Sequence, residues 1–251
     1  MSTENIKRCY YFRTENYEEP TEAVQDGFNW IKETGGTIIT NVQDTFYGSF
    51  NLSGQSGYQK FEQVCLRSNI WLKTIRGQSF SPKGKRTLLL FLDRKGLVQF
   101  EQNINEGHFD SSLEQILLLV WNEGEVQDWV WRYNAELLGK APDGWKERID
   151  SFKTVQPVPK DIDGILAYLA EKAKGYNCSL QNQEINRLKA DLMQNWSKWE
   201  DLSERQIKGK CFELKMSLRD VDTIVDLFQK RKQGHKLIPN KGSHGFNHVL
   251  S

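Results

Sequence analysis

Two short segments limit the possible folds more than any other feature of the chain. Arg86-Thr-Leu-Leu-Leu-Phe-Leu92 is the most hydrophobic run, and Ile116-Leu-Leu-Leu-Val-Trp121 is a second of the same kind. Both are far shorter than the roughly 20 residues that cross a bilayer. Neither alternates between apolar and polar positions. A strand with one face in water alternates; a strand buried on both faces does not, and that burial belongs to the centre of a parallel sheet covered by helices on each side. Both segments are therefore expected to be central strands.

The flanking sequence fits. Lys7 to Arg13 reads as a first strand. Acidic residues around Pro20 then start a helix that carries Ala23, Val24, Phe28 and Ile31, and Gly35-Gly36 ends it. Thr37 to Val42 is a β-branched strand, and a polar Gly/Ser-rich loop runs from Gln43 to Gly57. Tyr58 to Arg76 is expected to be helical, burying Phe61, Val64, Cys65, Ile70, Leu72 and Ile75. Asp93 to Gly96 reads as a turn, and Leu97 to Phe100 as either a hairpin strand or a helix start. Glu123 to Leu138 reads as a helix stopped by Gly139. The expected class is α/β, a mostly parallel Rossmann-like sheet over 1–139, then a linker over 140–160 with Trp145, Ile149 and Phe152 as docking residues.

Between Cys9 and Val42, the order of strand, acidic Pro-Thr-Glu helix start, glycine and β-branched strand resembles the opening of the α/β C-terminal domain of pyruvate kinases. The resemblance covers some thirty residues. It implies an α/β unit and carries no site residues.

From Asp161 onward strand signals cease, and 161–251 is expected to be a basic helical domain with an irregular tail. Ile162 to Lys174 and Gln183 to Trp199 read as helices. Ile207, Cys211, Leu214, Leu218, Val221, Val225 and Phe228 then step alternately by 4 and 3 residues, an apolar stripe at heptad spacing. Asp201 with Glu204 suggests a capping box, and Ser217 with Asp220 a second start, so one long helix or two short ones both fit. The stripe either packs inside a helical bundle or forms the seam with a protein partner or a second copy.

Four cysteines, Cys9, Cys65, Cys178 and Cys211, are scattered without a C-x-x-C pair, and the N-terminus is polar with no apolar leader segment. The expectation is a cytoplasmic chain with reduced thiols and no membrane contact.

The net charge of +1 hides an asymmetry: residues 201–251 hold ten Lys/Arg against six Asp/Glu, and the remainder holds 24 against 27. Lys208, Lys210, Lys215, Lys230, Arg231, Lys232, Lys236 and Lys241 are the candidate contacts to RNA or DNA, because such cations release counterions from phosphates. The plainer account is a solvated helix face, since cations favour helix C-termini. The expected function is non-catalytic binding or assembly through this end.

The alternative lies in the α/β half. Ligands of parallel sheets bind beyond the carboxyl ends of the strands. Asn41, Asp44, Ser53, Ser56, Asp93, Arg94 and Lys95 fall there, as candidates for a nucleotide-like ligand, in a sensor or an enzyme. Solvated loops would have the same composition.

Known chemical motifs are absent or broken. There is no G-x-G-x-x-G, and near Lys83-Gly-Lys-Arg86 a Walker loop would need glycine at Ser79 and Ser/Thr at Arg86. Ser53-Gly-Gln-Ser-Gly57 lacks the nucleophile-elbow glycine at Tyr58, and His108 is the sole histidine of that half. His244 and His248 have half a zinc spacing, without a close cysteine pair to complete it. Glu213-Leu-Lys215 matches a nuclease E-x-K, but sits in the heptad helix rather than on a strand. No cofactor and no metal are expected.

Overall fold

A computed structural model of the chain describes residues 3–12, 20–42, 44–45, 54–76, 81–176 and 179–246. They form two compact units, Met1–Ile149 and Asp150–Ser251.

The first unit is built on a six-stranded sheet in the order β3-β2-β4-β5-β1-β6, every pairing parallel. The strands are β1 (Lys7–Phe12), β2 (Gly36–Thr40), β3 (Ile70–Thr74), β4 (Arg86–Leu90), β5 (Gln115–Val120) and β6 (Glu136–Leu137). The expected α/β sheet is thus present. The two leucine-rich runs are the adjacent central strands β4 and β5, with Leu88, Leu89, Leu90, Ile116, Leu118 and Val120 fully buried.

Helices cover both faces. α1 (Pro20–Lys32) and α2 (Gly54–Arg67) bring Val24, Phe28, Ile31 and Cys65 onto the face that carries Cys9, Ile38, Leu88, Leu90, Leu117 and Leu119. α3 (Arg94–Asn105) and α4 (Glu123–Tyr133) lie on the other face, where Glu101 of α3 binds both Arg8 of β1 and Trp129 of α4. Gly36 starts β2 at φ 148°, and a side chain there would collide with the Arg86 carbonyl oxygen of β4. Only glycine allows that approach.

Three segments of the first unit depart from the sequence reading, and in the second unit the helix read over Gln183–Trp199 ends at Gln194. The helix expected over Tyr58–Arg76 begins earlier, at Gly54, and stops at Arg67; Asn69 turns the chain at φ 56° and Ile70–Thr74 pairs with β2 as an edge strand. Ile70, Leu72 and Ile75 suited helical spacing, so the strand was hidden. Asp93–Gly96 is no turn but the start of α3: the Asp93 carboxylate accepts the Gly96 N–H at 2.7 Å, and Leu97–Phe100 is helical. The helix expected to reach Leu138 ends at Tyr133, capped by Asn134 at φ 47°, and Glu136–Leu137 returns beside β1.

Within the segment read as a linker, Trp145–Lys153 forms α5. Trp145 is buried and donates its indole N–H to the Tyr10 hydroxyl at 2.9 Å.

The second unit consists of helices α6 (Lys160–Lys174), α7 (Asn182–Gln194), α8 (Glu204–Glu213) and α9 (Leu218–Lys232). The heptad stripe is split between α8 and α9 by Lys215 at φ 62°. The capping box at its start is Ser203 with Gln206, not Asp201 with Glu204, and the Ser217 side chain caps α9. Ile207, Cys211, Leu218, Val221, Val225 and Phe228 are all buried within the single chain. Six of the seven stripe residues therefore pack inside the single chain, and Leu214, at the turn, is half-buried. Among the described residues, no helix is long and apolar enough to cross a membrane.

Candidate functional site

A parallel sheet offers a crevice wherever adjacent strands send their following chain to opposite faces. β2 leads to α2 on one face, whereas its neighbour β4 leads to α3 on the other. The strand order differs from that of dinucleotide-binding sheets, but the consequence is the same: the chain parts at the carboxyl ends of β2 and β4.

Asn41, one residue beyond β2, meets Asp93, the N-cap of α3, across this parting. Of the two orientations of the Asn41 amide, one donates weakly to the Phe91 carbonyl oxygen at 3.4 Å. The other satisfies both ends, donating to Asp93 Oδ1 at 3.2 Å and accepting the Asp93 N–H at 3.1 Å. The second is preferred because each polar atom then faces its complement. Arg76, just past β3, reaches over and places Nη2 3.2 Å from Asp93 Oδ2, with 63% of its side chain exposed. Arg94 turns away to pair with Asp128 of α4 at 3.1 Å. Lys95 projects into solvent in the first turn of α3.

Of the residues the sequence pointed to, Asn41 and Asp93 are thus brought together, Lys95 is exposed two residues further on, and Arg94 is directed to Asp128. Asp44 is exposed. Ser53 lies outside the described residues; Ser56 falls in α2, its side chain outside them.

Arg76 was missed because its strand read as helix. Two aromatic residues at the same edge were missed as well. Phe91 follows β4 at φ 53°, a conformation that costs a bulky residue on the order of 1–2 kcal/mol. Its ring meets that of Trp121, which follows β5, edge to face with centroids 5.4 Å apart. The sequence signal for this pair was position alone: each residue ends an apolar run.

The basic region is less open than its composition suggests. Lys208 pairs with Glu204 at 2.7 Å, Lys230 with Asp226 at 2.7 Å, and Lys210 with both Asp163 (2.7 Å) and Glu213 (2.8 Å). Those two carboxylates, Asp163 foremost, hold the Lys210 ammonium above its ordinary pKa. Lys232 donates to the Leu202 carbonyl oxygen at 2.8 Å, and Arg231 to that of Leu192 at 3.3 Å. Lys215, at the turn between α8 and α9, is exposed, as are Lys236 and Lys241 in the tail. The thiols of Cys65 and Cys211 are buried, and burial pushes the Cys65 thiol up to about 12, so neither is a ready nucleophile.

No family model, no curated protein and no solved structure matches the chain.

Proposed function

We propose that the protein binds a small anionic molecule in the crevice between the carboxyl ends of β2 and β4. The observation that carries this reading is the convergence of Asn41, Arg76 and Asp93, delivered by three separate strand ends to one point. Arg76 supplies an exposed cation at the rim, Lys95 a second, and the first turn of α3 adds the partial positive charge of a helix N-terminus. Asp93 is engaged by the Gly96 N–H and by Arg76. It serves here to position Arg76 and the Asn41 amide, and no chemical step is assigned to it.

A thermal-shift screen of the full chain against inorganic phosphate and phosphorylated metabolites tests the reading. A ligand specific to the folded state raises the melting temperature. Asn41→Ala and Arg76→Ala should each lower that shift; shifts untouched by both substitutions would place the ligand elsewhere.

The second reading, contact with RNA or DNA through the C-terminal cations, draws on exposed Lys236 and Lys241 in a stretch, 229–246, with no acidic residue. It ranks below the first because Lys208, Lys210 and Lys230 already hold carboxylates. Binding of a random-sequence RNA that weakens steeply with salt, and weakens further in a Lys236→Glu/Lys241→Glu variant, would support it. Salt-independent binding would remove it.

A further inference from the structure

We infer that the ligand of this crevice carries a planar aromatic ring, a nucleobase joined to its anionic group, and that Trp121 is the surface on which that ring stacks. The inference rests on the proposed binding reading and extends it to the ligand's class.

Trp121 keeps 54% of its surface exposed although it directly follows the fully buried Val120. Tryptophan carries a large apolar area, and leaving it in water forgoes the main driving force of folding. The ring is nevertheless held in place. Phe91 packs against it at an interplanar angle of 76°.

Phe91 is anchored in turn. Its N–H donates to the Leu119 carbonyl oxygen of β5 at 3.2 Å, which fixes the left-handed kink at the end of β4. Backbone strain of this sort at a bulky residue gathers at binding sites, where the surrounding structure enforces it. Two residues beyond the kink stands Asp93. One strand end therefore supplies both the restraint on the indole and the residue that organises Asn41 and Arg76. Val42, 37% exposed beyond β2, adds apolar surface at the same edge.

The pattern is a restrained, exposed aromatic ring on the same carboxyl edge of the sheet as a polar cluster with a cation. Every nucleobase has a face that can stack on such a ring, and a sugar-phosphate supplies the anion and hydroxyls that Arg76 and Asn41 can meet.

The test is isothermal titration of the full chain with the adenosine, guanosine, cytidine and uridine monophosphates, and with ribose 5-phosphate as the ringless control. The variants are Trp121→Phe, which keeps a ring, Trp121→Leu, which keeps apolar bulk against Phe91 without one, and Asn41→Ala. Both Trp121 substitutions alter an exposed position, and circular dichroism melts check that each folds. The expected result is that at least one nucleotide binds about ten-fold or more tightly than ribose 5-phosphate. Trp121→Phe should retain most of that margin, Trp121→Leu should erase it, and Asn41→Ala should weaken nucleotide and sugar phosphate alike. Ribose 5-phosphate binding as well as the nucleotides, or a margin that survives Trp121→Leu, overturns the ring while leaving the crevice reading intact if Asn41→Ala still weakens binding. Absence of binding across the whole panel overturns the nucleobase, and the crevice reading falls with it only if inorganic phosphate and the other phosphorylated metabolites of the thermal-shift screen also leave the melting temperature unchanged.

Discussion

Arg8 and Glu101, 93 residues apart in the chain, form a two-point ion pair inside the first unit, Nε to Oε1 at 3.0 Å and Nη2 to Oε2 at 2.8 Å. Their side chains are only 3% and 1% exposed. The pair fastens α3 to β1, and Trp129 joins it from α4 by donating to Glu101 Oε1 at 2.7 Å. The guanidinium also lies 4.1 Å from the centroid of the Tyr133 ring.

Glu101→Ala strands a buried guanidinium and an indole N–H, and should destabilise the first unit by about 3–5 kcal/mol. Glu101→Gln keeps acceptor capacity and should cost less. The double variant Arg8→Met/Glu101→Leu removes both charges and should recover much of the loss. Urea unfolding followed by circular dichroism checks the order; equal stability of Glu101→Ala and the double variant would contradict it.

Asp191 of α7 is the corresponding fastener of the second unit. Only 1% exposed, its carboxylate accepts the Trp199 indole N–H at 2.9 Å, the Asn195 amide at 2.8 Å and the Phe246 backbone N–H at 3.2 Å. One side chain thus ties the tail at Phe246 to the helices, with Phe246 packed against the Tyr168 ring. Asp191→Ala should leave the buried Trp199 indole and Phe246 backbone N–H groups unmet, cost about 1–3 kcal/mol or more, and release the tail. Limited proteolysis should cut the variant between Lys236 and Phe246 well before wild type; unchanged cleavage there would count against the tether.

How much of this was legible depended on what each residue faces. β4 and β5 were readable because burial on both faces removes the polar positions that could blur the pattern. β3 is an edge strand whose Trp71, Leu72 and Thr74 are at most partly shielded, and its apolar positions fit a helix as well as a strand. β6 has two residues and therefore no period to read. The heptad stripe survived a chain reversal because α8 and α9 face one core, while the break itself depends on a left-handed lysine, Lys215, which carries no turn signature. At the strand ends, topology alone pointed to Asn41 and Asp93, which the fold brings together, whereas Arg94 turns to Asp128 instead. The pairing of Lys208 with Glu204 and of Lys230 with Asp226 could have been read from their four-residue spacing. That of Lys210 with Asp163 is tertiary and could not.

Asp220, in the first turn of α9, gives the second unit a pH dependence of unusual sign. Burial is the main influence on its carboxyl and raises it above the ordinary value of 3.8, against the opposing pull of the Leu180 N–H and Arg219; buried Cys211 is a further neighbour. A raised folded-state value means that the folded chain binds the proton more tightly than the unfolded chain. The contribution of Asp220 is then fully present below pH 3.8 and is lost as pH rises through the folded value. Asp220→Asn keeps an oxygen for the Leu180 N–H, which Asp220 accepts at 2.9 Å, and removes the titration. The stability of the variant relative to wild type should therefore rise from pH 3.5 to pH 7, both on the order of the range bracketing ordinary and raised carboxyls. Urea midpoints at several pH values test this; a relative stability that stays flat or falls would refute it.

Gly96 connects the fold to the candidate site. It occupies the first turn of α3, where its N–H is capped by Asp93, and a side chain there would collide with the Asn41 amide and come within 3.1 Å of Asp93 Oδ1. The helix itself would accept alanine, which has the higher helical propensity. Gly96→Ala is therefore expected to leave secondary structure and the buried face of α3 unchanged. It should push Asn41 off Asp93, loosening the crevice at a contact that joins the end of β2 to the start of α3. The measurable consequence is a loss of about ten-fold or more in affinity for any ligand found in the screen, because misplacing one hydrogen-bonding partner by about an ångström forfeits roughly the net value of a charge-assisted bond. Circular dichroism should match wild type, with melting lowered by only a few degrees. Were Gly96→Ala to bind as well as wild type, the Asn41–Asp93 contact would be a device of folding alone, and the ligand would have to be sought away from the end of β2.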